Sequence, residues 1–229
     1  AMPTRQSLQD AFETVRRQGA QAAVFFTISS AMSGTYQLVS SLAQAAPLPL
    51  HVVDAKGPTM SLGWQVLAAA RARDAGADID RILLEAERVR QSLVQLVSME
   101  TMEYLQRGGR LGGAAKWIGM KLQIRPLVAI SHTTGLVEPV GLSRTHKKAI
   151  DYLYREFFKR MQSVRPLIGQ KMHVAVLHGA NPADANLLVQ RIRAEFDPAE
   201  LLVNITGPVL GMNTGAGAVA LGGYVDYCR

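Results

Sequence analysis

"AAVFFTISSAMSGTYQLVSSLAQAAPLPLHVVDAK", residues 22–56, decides the fold. Residues 22–29 form a short continuous apolar run, the pattern of a strand buried on both faces of a parallel sheet. "YQLVSSLAQAA" (36–46) reads as a helix and "LPLHVVDAK" (48–56) as the next strand. Strand, helix, strand is a βαβ unit, so "SAMSGT" (30–35) sits at the carboxyl end of its first strand, where open α/β sheets bind ligands. That end is rich in small hydroxyls: Thr27, Ser29, Ser30, Ser33 and Thr35. Two readings stand open. The hydroxyls satisfy backbone at the strand exit, with Ser33 capping the next helix, or they hold or attack a ligand.

Working outward, "SLQDAFETVRRQGA" (7–20) predicts a helix capped by Ser7 with Asp10 three residues on, stopped at Gly19. "TMSLGWQVLAAARARDAGA" (59–77) and "DIDRILLEAERVRQSL" (78–93) predict two more helices, the second capped by Asp78. Beyond residue 92 the organisation changes. "VQLVSMETM" (94–102) and "QIRPLVAIS" (123–131) read as strands around a helical, glycine-punctuated middle. After a turn at Ser131–Gly135, "GLVEPVGLS" (135–143) is strand-like, and residues 145–164 form a long helix with Lys and Arg on one face. "MHVAVLHG" (172–179) is a strand, residues 181–196 a helix capped by Asn181 with Pro182 in its first turn, and "ELLVNIT" (200–206) the last strand expected. The boundary falls near residue 92, giving an α/β domain over 1–92 with a parallel sheet and an α+β domain over 93–229. With two clear strands only, the first domain is expected to be incomplete or covered by another chain.

The totals bound the function. With 229 residues, 48% hydrophobic and 19% charged, the chain is expected to be soluble and globular. No apolar stretch approaches the ~20 residues of a membrane span, and no signal-peptide pattern opens the chain. The single cysteine, Cys228, excludes an intramolecular disulfide and a cysteine metal site. The expected compartment is the cytoplasm. The net charge of +7 comes from 25 Lys and Arg spread along the chain, and 6% aromatics leave few stacking platforms, so nucleic-acid binding is not expected.

Motifs for catalysis are missing. "SAMSGT" lacks the leading glycine of a Gly-x-Ser-x-Gly elbow, the five histidines form no HExxH, and there is no phosphate-binding P-loop. "GAGAVA" (215–220) matches Gly-x-Gly-x-x-Ala but lacks room for the acidic ribose ligand, and reads instead as a helix start built from small residues. "EYLQRGGRLGGAAKWIGMKLQIRP" (103–126) is the most unusual composition: Gly108, Gly109, Gly112 and Gly113 carry Arg107 and Arg110. It is either a solvated basic turn or a surface that faces an anion or a partner.

Taken in order, "SSAMSGTYQ" (29–37), "VVDAKGPTMSLGWQVL" (52–67), "METMEYLQRGGRLGGAAKWIGMKLQIRPLVAI" (99–130), "GLVEPVGLSRTHKKAI" (135–150), "VAVLHGANPADA" (174–185) and "GPVLGMNTGAGAVAL" (207–221) resemble the DegV family. The resemblance implies a bacterial, two-domain DegV-like fold that encloses one long-chain fatty acid between its domains and performs no chemistry on it. A separate fatty acid kinase then converts the presented carboxylate to an acyl phosphate with ATP, for phospholipid synthesis. No cofactor or metal is implied, and membrane contact is at most a transient one at the surface. Ser33 matches the family's carboxylate-binding hydroxyl, with Gly34 and Thr35 in the adjacent turn. Arg110 matches the basic position that engages the kinase. Asn213 stands where the family usually has histidine, beside Thr214, so both are expected at the head group. Trp117, Ile118 and Met120 are expected to line the acyl tail.

Family members begin with a further strand ending in Asp-Ser-Thr, and Pro3 matches a later proline. The first domain is therefore expected to lack its leading segment and the threonine that serves as second carboxylate ligand. The alternative expectation is an enzyme acting on a small acidic substrate in the inter-domain cleft through Arg110.

Overall fold

The computed structural model describes residues 2–117, 124–164 and 171–226. The opening stretch folds as read. Strands β1 (Ala23–Thr27) and β2 (Leu50–Asp54) pair in parallel from Ala23↔Leu50 to Thr27↔Asp54. Helix α2 (Thr35–Ala43) connects them. Helix α1 (Arg5–Arg17) precedes them, and its Leu8 and Phe12 join Val39 and Leu42 of α2 and Leu48 in a small core. Phe12 meets Phe25 of β1 edge to face at 6.1 Å between centroids.

The α1 cap differs from the expectation at Ser7. Thr4 is the N-cap, its hydroxyl accepting from the Ser7 amide at 3.1 Å, while the Ser7 hydroxyl donates to the Thr4 carbonyl at 2.9 Å. Two hydroxyls three residues apart can each cap a helix, and the earlier one gains an extra turn that carries Leu8 onto the core.

The larger part is a six-stranded sheet in the order β5-β4-β3-β8-β6-β7. Its strands are β3 (Val94–Ser98), β4 (Arg125–Ile130), β5 (Val137–Ser143), β6 (Met172–His178), β7 (Glu200–Ile205) and β8 (Val219–Val225). Only β6 and β7 are parallel; the other neighbours are antiparallel. Pro139 is tolerated because β5 is an edge strand and the register breaks beside it, between Leu127 and Val128 of β4.

Both faces of this sheet are covered. Helices α3 (Met60–Asp74) and α4 (Ile79–Ser92) bring Trp64 and Val89 onto Val97, Ala175, Leu177, Ala220 and Tyr224. Helices α6 (His146–Val164) and α7 (Pro182–Glu195) bring Leu153, Phe157, Leu188 and Ile192 onto Leu96, Val174, Val176 and Leu221. Alternation along β6 sorts its side chains between the faces, which is why the strand reads as one apolar run. The helix caps at Asp78 and Asn181 form as expected, accepting from the amides of Arg81 at 2.8 Å and Asp184 at 3.3 Å.

One strand was not expected. β7 is not the last, and "GAGAVA" does not start a helix: it leads into β8, a central strand between β3 and β6. Two glycines in "VALGGYV" weaken every sequence signal for a strand. The neighbouring strand requires the second, since a Cβ on Gly223 would overlap the His173 carbonyl.

Two short helices complete the chain: α5 (Glu103–Gly108) after β3 and α8 (Pro208–Thr214) after β7, packed on each other. A 3₁₀ turn, Gly112–Trp117, follows α5 and runs beside β5. Among the described residues no helix is long and apolar enough to cross a membrane.

Candidate functional site

The loop between β1 and α2 is built from its own hydroxyls, and the structure sorts them into two groups. Thr27 donates to the Val53 carbonyl at 3.4 Å, next to the β1–β2 ladder. Ser29 is fully buried; its hydroxyl donates to the Gly135 carbonyl at 2.7 Å and accepts from the Ala31 amide at 3.2 Å. The amides of Met32 and Ser33 turn back onto the Ser29 carbonyl at 3.0 and 3.1 Å. Ser30 belongs to Asp54, at the end of β2, whose carboxylate accepts from the amides of Ser30 at 3.1 Å and Lys56 at 3.0 Å. Lys56 also places its ammonium 2.9 Å from that carboxylate. Burial raises the pKa of Asp54, but the hydrogen bonds from Ser30 and Lys56 outweigh it, so the group is held below the ordinary carboxylate value.

Ser33 and Thr35 remain. Their hydroxyls lie 2.9 Å apart, and the Ser33 oxygen accepts from the Thr35 amide at 3.3 Å. Two hydroxyls joined by one hydrogen bond keep one proton to donate elsewhere. Neither partner of Ser33 is a base, so nothing among its described contacts activates it as a nucleophile. Gly34 is the N-cap of α2 and has no side chain; the Ser33 hydroxyl is the acceptor for the first helical amide, that of Thr35. The first-turn amides of α2 and the positive end of its dipole therefore lie beside the hydroxyl pair.

The facing wall comes from the basic turn and from α8. Arg110 donates from Nε to the Met32 carbonyl at 3.2 Å and from Nη1 to the Gly108 carbonyl. Asn213 lies against Gly108, where a Cβ would overlap its Oδ1, and its Nδ2 donates to the Val209 carbonyl at 2.8 Å. A continuous set of contacts thus joins Met32, Arg110, Gly108 and Asn213. Thr214 is buried and its hydroxyl donates to the Leu210 carbonyl of its own helix at 3.1 Å. Trp117 is half-buried against the core under α3 and α4. Ile118 and Met120 lie outside the described residues.

Sequence reasoning did not find the supports of this loop. Asp54 carried a signal: parallel pairing puts the ends of β1 and β2 side by side, and an acidic residue there can collect the loop amides. Ser29–Gly135 carried none. Behind it stands a second polar network. The Ser61 hydroxyl lies 2.7 Å from both Gln95 Oε1 and His132 Nε2, and Thr59 joins Gln95 at 3.1 Å. Arg90 donates to the His132 carbonyl. Desolvation first, then the Arg90 guanidinium, lower the His132 pKa from 6.5 to about 4, outweighing a hydrogen bond at Leu93 that favours the protonated form. His132 is neutral at neutral pH and belongs to the turn whose Gly135 holds Ser29.

This dependence is testable at Asp54. Asp54→Ala leaves the amides of Ser30 and Lys56 and the Lys56 ammonium without their acceptor. A loss of about 1–3 kcal/mol in urea unfolding is expected, with faster amide exchange at Ser30. An unchanged exchange rate at Ser30 would contradict the role given to Asp54.

The DegV family model, described as "Uncharacterised protein, DegV family", matches residues 1–225. A DegV domain-containing protein of Streptomyces coelicolor is 31% identical over 96% of this chain and 75% of its own length. One from Mycobacterium bovis is 32% identical over 89% of this chain and 70% of its own. Among solved structures, a DegV family protein from Thermus thermophilus, described as binding fatty acid, superposes with a TM-score of 0.87 at 28% identity, over 99% of this chain and 78% of that one. DegV from Bacillus subtilis superposes with a TM-score of 0.84 at 23% identity, over 98% of this chain and 77% of that one, and carries the likeness of fold alone.

Proposed function

The chain belongs to the DegV family, and on that premise we propose that it binds one long-chain fatty acid and presents the carboxylate to a separate fatty acid kinase in the cytoplasm. The observation that carries this reading is the Ser33–Thr35 hydroxyl pair at the start of α2, with a proton to donate and no base among its described contacts. A carboxylate in apolar surroundings is costly by several kcal/mol unless donors receive it. The hydroxyl pair, the first amides of α2 and the helix dipole are such donors. The similarity to the fatty-acid-binding Thermus thermophilus protein supports the same ligand class.

On this reading the ligand lies between the β1–β2 unit and the six-stranded sheet, its head at Ser33, Gly34 and Thr35, with Asn213 and Thr214 on the far side and its tail toward Trp117. The protein itself makes and breaks no covalent bond. A carboxylate oxygen of the bound acid attacks the γ-phosphorus of ATP held by the kinase, ADP leaves, and an acyl phosphate forms. Arg110, on the exposed basic turn, is the residue that faces the kinase.

Organic extraction of the protein after expression in a bacterial host is expected to release long-chain acids identifiable by mass spectrometry. The double variant Ser33→Ala, Thr35→Val removes the hydroxyl donors while keeping similar shapes, and is expected to weaken fatty-acid binding about 10- to 100-fold. A folded wild-type protein that yields no lipid and binds no added acid would sink the proposal. Turnover of a small acidic substrate without a kinase would favour an enzyme instead.

A further inference from the structure

The loop that carries Ser33 meets the larger sheet through a buried contact: the Ser29 hydroxyl donates to the Gly135 carbonyl at 2.7 Å. Gly135 closes a tight turn. Its amide donates to the Ser131 carbonyl at 2.7 Å, and the Ser131 amide donates to the Leu136 carbonyl at 3.0 Å. Only glycine fits there, since φ is +76° and a Cβ would overlap the Ser29 hydroxyl. The turn therefore moves as one piece, and whatever holds its other side also holds Ser29.

That other side is His132. Its Nε2 lies 2.7 Å from the Ser61 hydroxyl on α3, its carbonyl accepts from Arg90 on α4, and its ring also hydrogen-bonds the backbone of Leu93. Ser61 in turn lies 2.7 Å from Gln95 Oε1 on β3. The groups that reach the ring are thus neutral from α3 and β3 and cationic from α4, where Arg90 is paired with Glu87 at 2.6 Å. Nearer Ser29, the stem of Lys56 lies against Gly135, with its ammonium 2.9 Å from Asp54. A proton on His132 would place a second positive charge beside Arg90 in desolvated surroundings. Desolvation first, then Arg90, hold its pKa down at about 4. Outward movement of the turn relieves both. The segment beneath is strained as well: φ is 55° at Lys56 and 52° at Thr59, a region unfavourable for residues other than glycine.

We propose that the Ser131–Gly135 turn is a proton-operated clasp on the head-group loop: protonation of His132 frees the turn from α3 and α4, the Gly135 carbonyl leaves Ser29, and the bound ligand departs faster. The inference rests on the fatty-acid reading above and adds to it a control on release. His132 acts through the turn rather than on the ligand, so it is a positioning residue. At neutral pH the clasp is shut.

The test follows the release of a bound fluorescent long-chain fatty acid after excess palmitic acid is added, at pH 7, 6 and 5. The unmodified chain is compared with His132→Gln. With His132 at an ordinary 6.5 when the turn is open and about 4 when it is shut, the open fraction, and with it the release rate, is expected to rise about 20-fold from pH 7 to pH 5. His132→Gln keeps a hydrogen-bonding side chain but gains no proton, and its rate is expected to rise less than about threefold. The carboxyl of the ligand is the same in both proteins. An equal rise in both, or no rise in the unmodified chain, would therefore overturn the inference while fatty-acid binding stands. If the unmodified chain binds no fatty acid at pH 7, that reading fails, and amide exchange in the unmodified chain decides the clasp by itself. The same measurement serves if His132→Gln does not fold. The amides of Gly135 and Ala31, held by Ser131 and by the Ser29 hydroxyl, should lose protection by the same ratio between pH 7 and pH 5. Both should exchange well before Val176 of β6, as local opening requires. Unchanged protection, or exchange only together with Val176, overturns the inference.

Discussion

Trp64→Ala is expected to destabilise the protein by about 3–5 kcal/mol, the range for truncating a fully buried large aromatic side chain. Trp64 is completely buried between α3 and the six-stranded sheet. Its ring meets Tyr224 at 5.5 Å and His173 at 5.8 Å, both edge to face, and its Nε1 donates to the Gly222 carbonyl at 3.3 Å. Truncation leaves a cavity that the strand glycines beneath cannot fill, and removes the indole donor from the Gly222 carbonyl. Chemical denaturation followed by far-UV circular dichroism measures the loss. Trp117→Ala is the control: that ring is half-buried, so a smaller effect is expected. A Trp64→Ala loss below about 1 kcal/mol would show that α3 does not rest on the sheet in solution. The consequence reaches the candidate site, because α3 also carries Ser61, which binds His132 and through its turn steadies Ser29.

Acidification from pH 7 toward pH 4 is expected to cost the fold up to about 3 kcal/mol through His132 alone. Its pKa is about 4 in the folded protein, against an ordinary 6.5. The unfolded chain therefore binds the proton first, so stability is full above pH 6.5 and falls as the pH drops toward 4. The paired carboxylates lose their contribution in a lower window. Asp54, Glu87 and Glu200 are held below ordinary values of 3.8 and 4.5, so their loss begins only as the unfolded groups protonate. Between about pH 6.5 and 5 the His132 slope is thus separable from theirs. Urea midpoints at pH 7, 6 and 5 for the unmodified protein and for His132→Gln provide the measurement. The variant can be less stable overall, since Ser61 loses its ring partner, but its pH slope over this interval should flatten. An unaltered slope would remove His132 as the cause.

How far the sequence could be read depended on the range of the contacts involved. The βαβ unit was legible because two continuous apolar runs flank a helix within residues 22–56, and the caps at Asp78 and Asn181 because capping acts over three residues. β8 was not legible: its glycines suppress the strand signal, and the second of them, Gly223, is required by the approach of β6, which lies far away in sequence. At the site, the run of hydroxyls was visible, but not their division of labour. Ser29 resembles Ser33 in every local respect, yet one is buried against a carbonyl and the other keeps a proton to donate.

By itself, then, the sequence determined the DegV family, the parallel βαβ entry, the placement of hydroxyls at a strand's carboxyl end and the glycine-rich basic turn. Those are properties of residue type, spacing and short-range hydrogen bonding. Only the tertiary structure decided which hydroxyls are free, that Asp54 and Gly135 hold the loop, and that Arg110 is anchored at Met32. The reason is distance along the chain. Ser29 and Gly135 are 106 residues apart and Arg110 and Met32 78, and no local pattern encodes partners that only the packing of the finished fold brings within hydrogen-bonding reach.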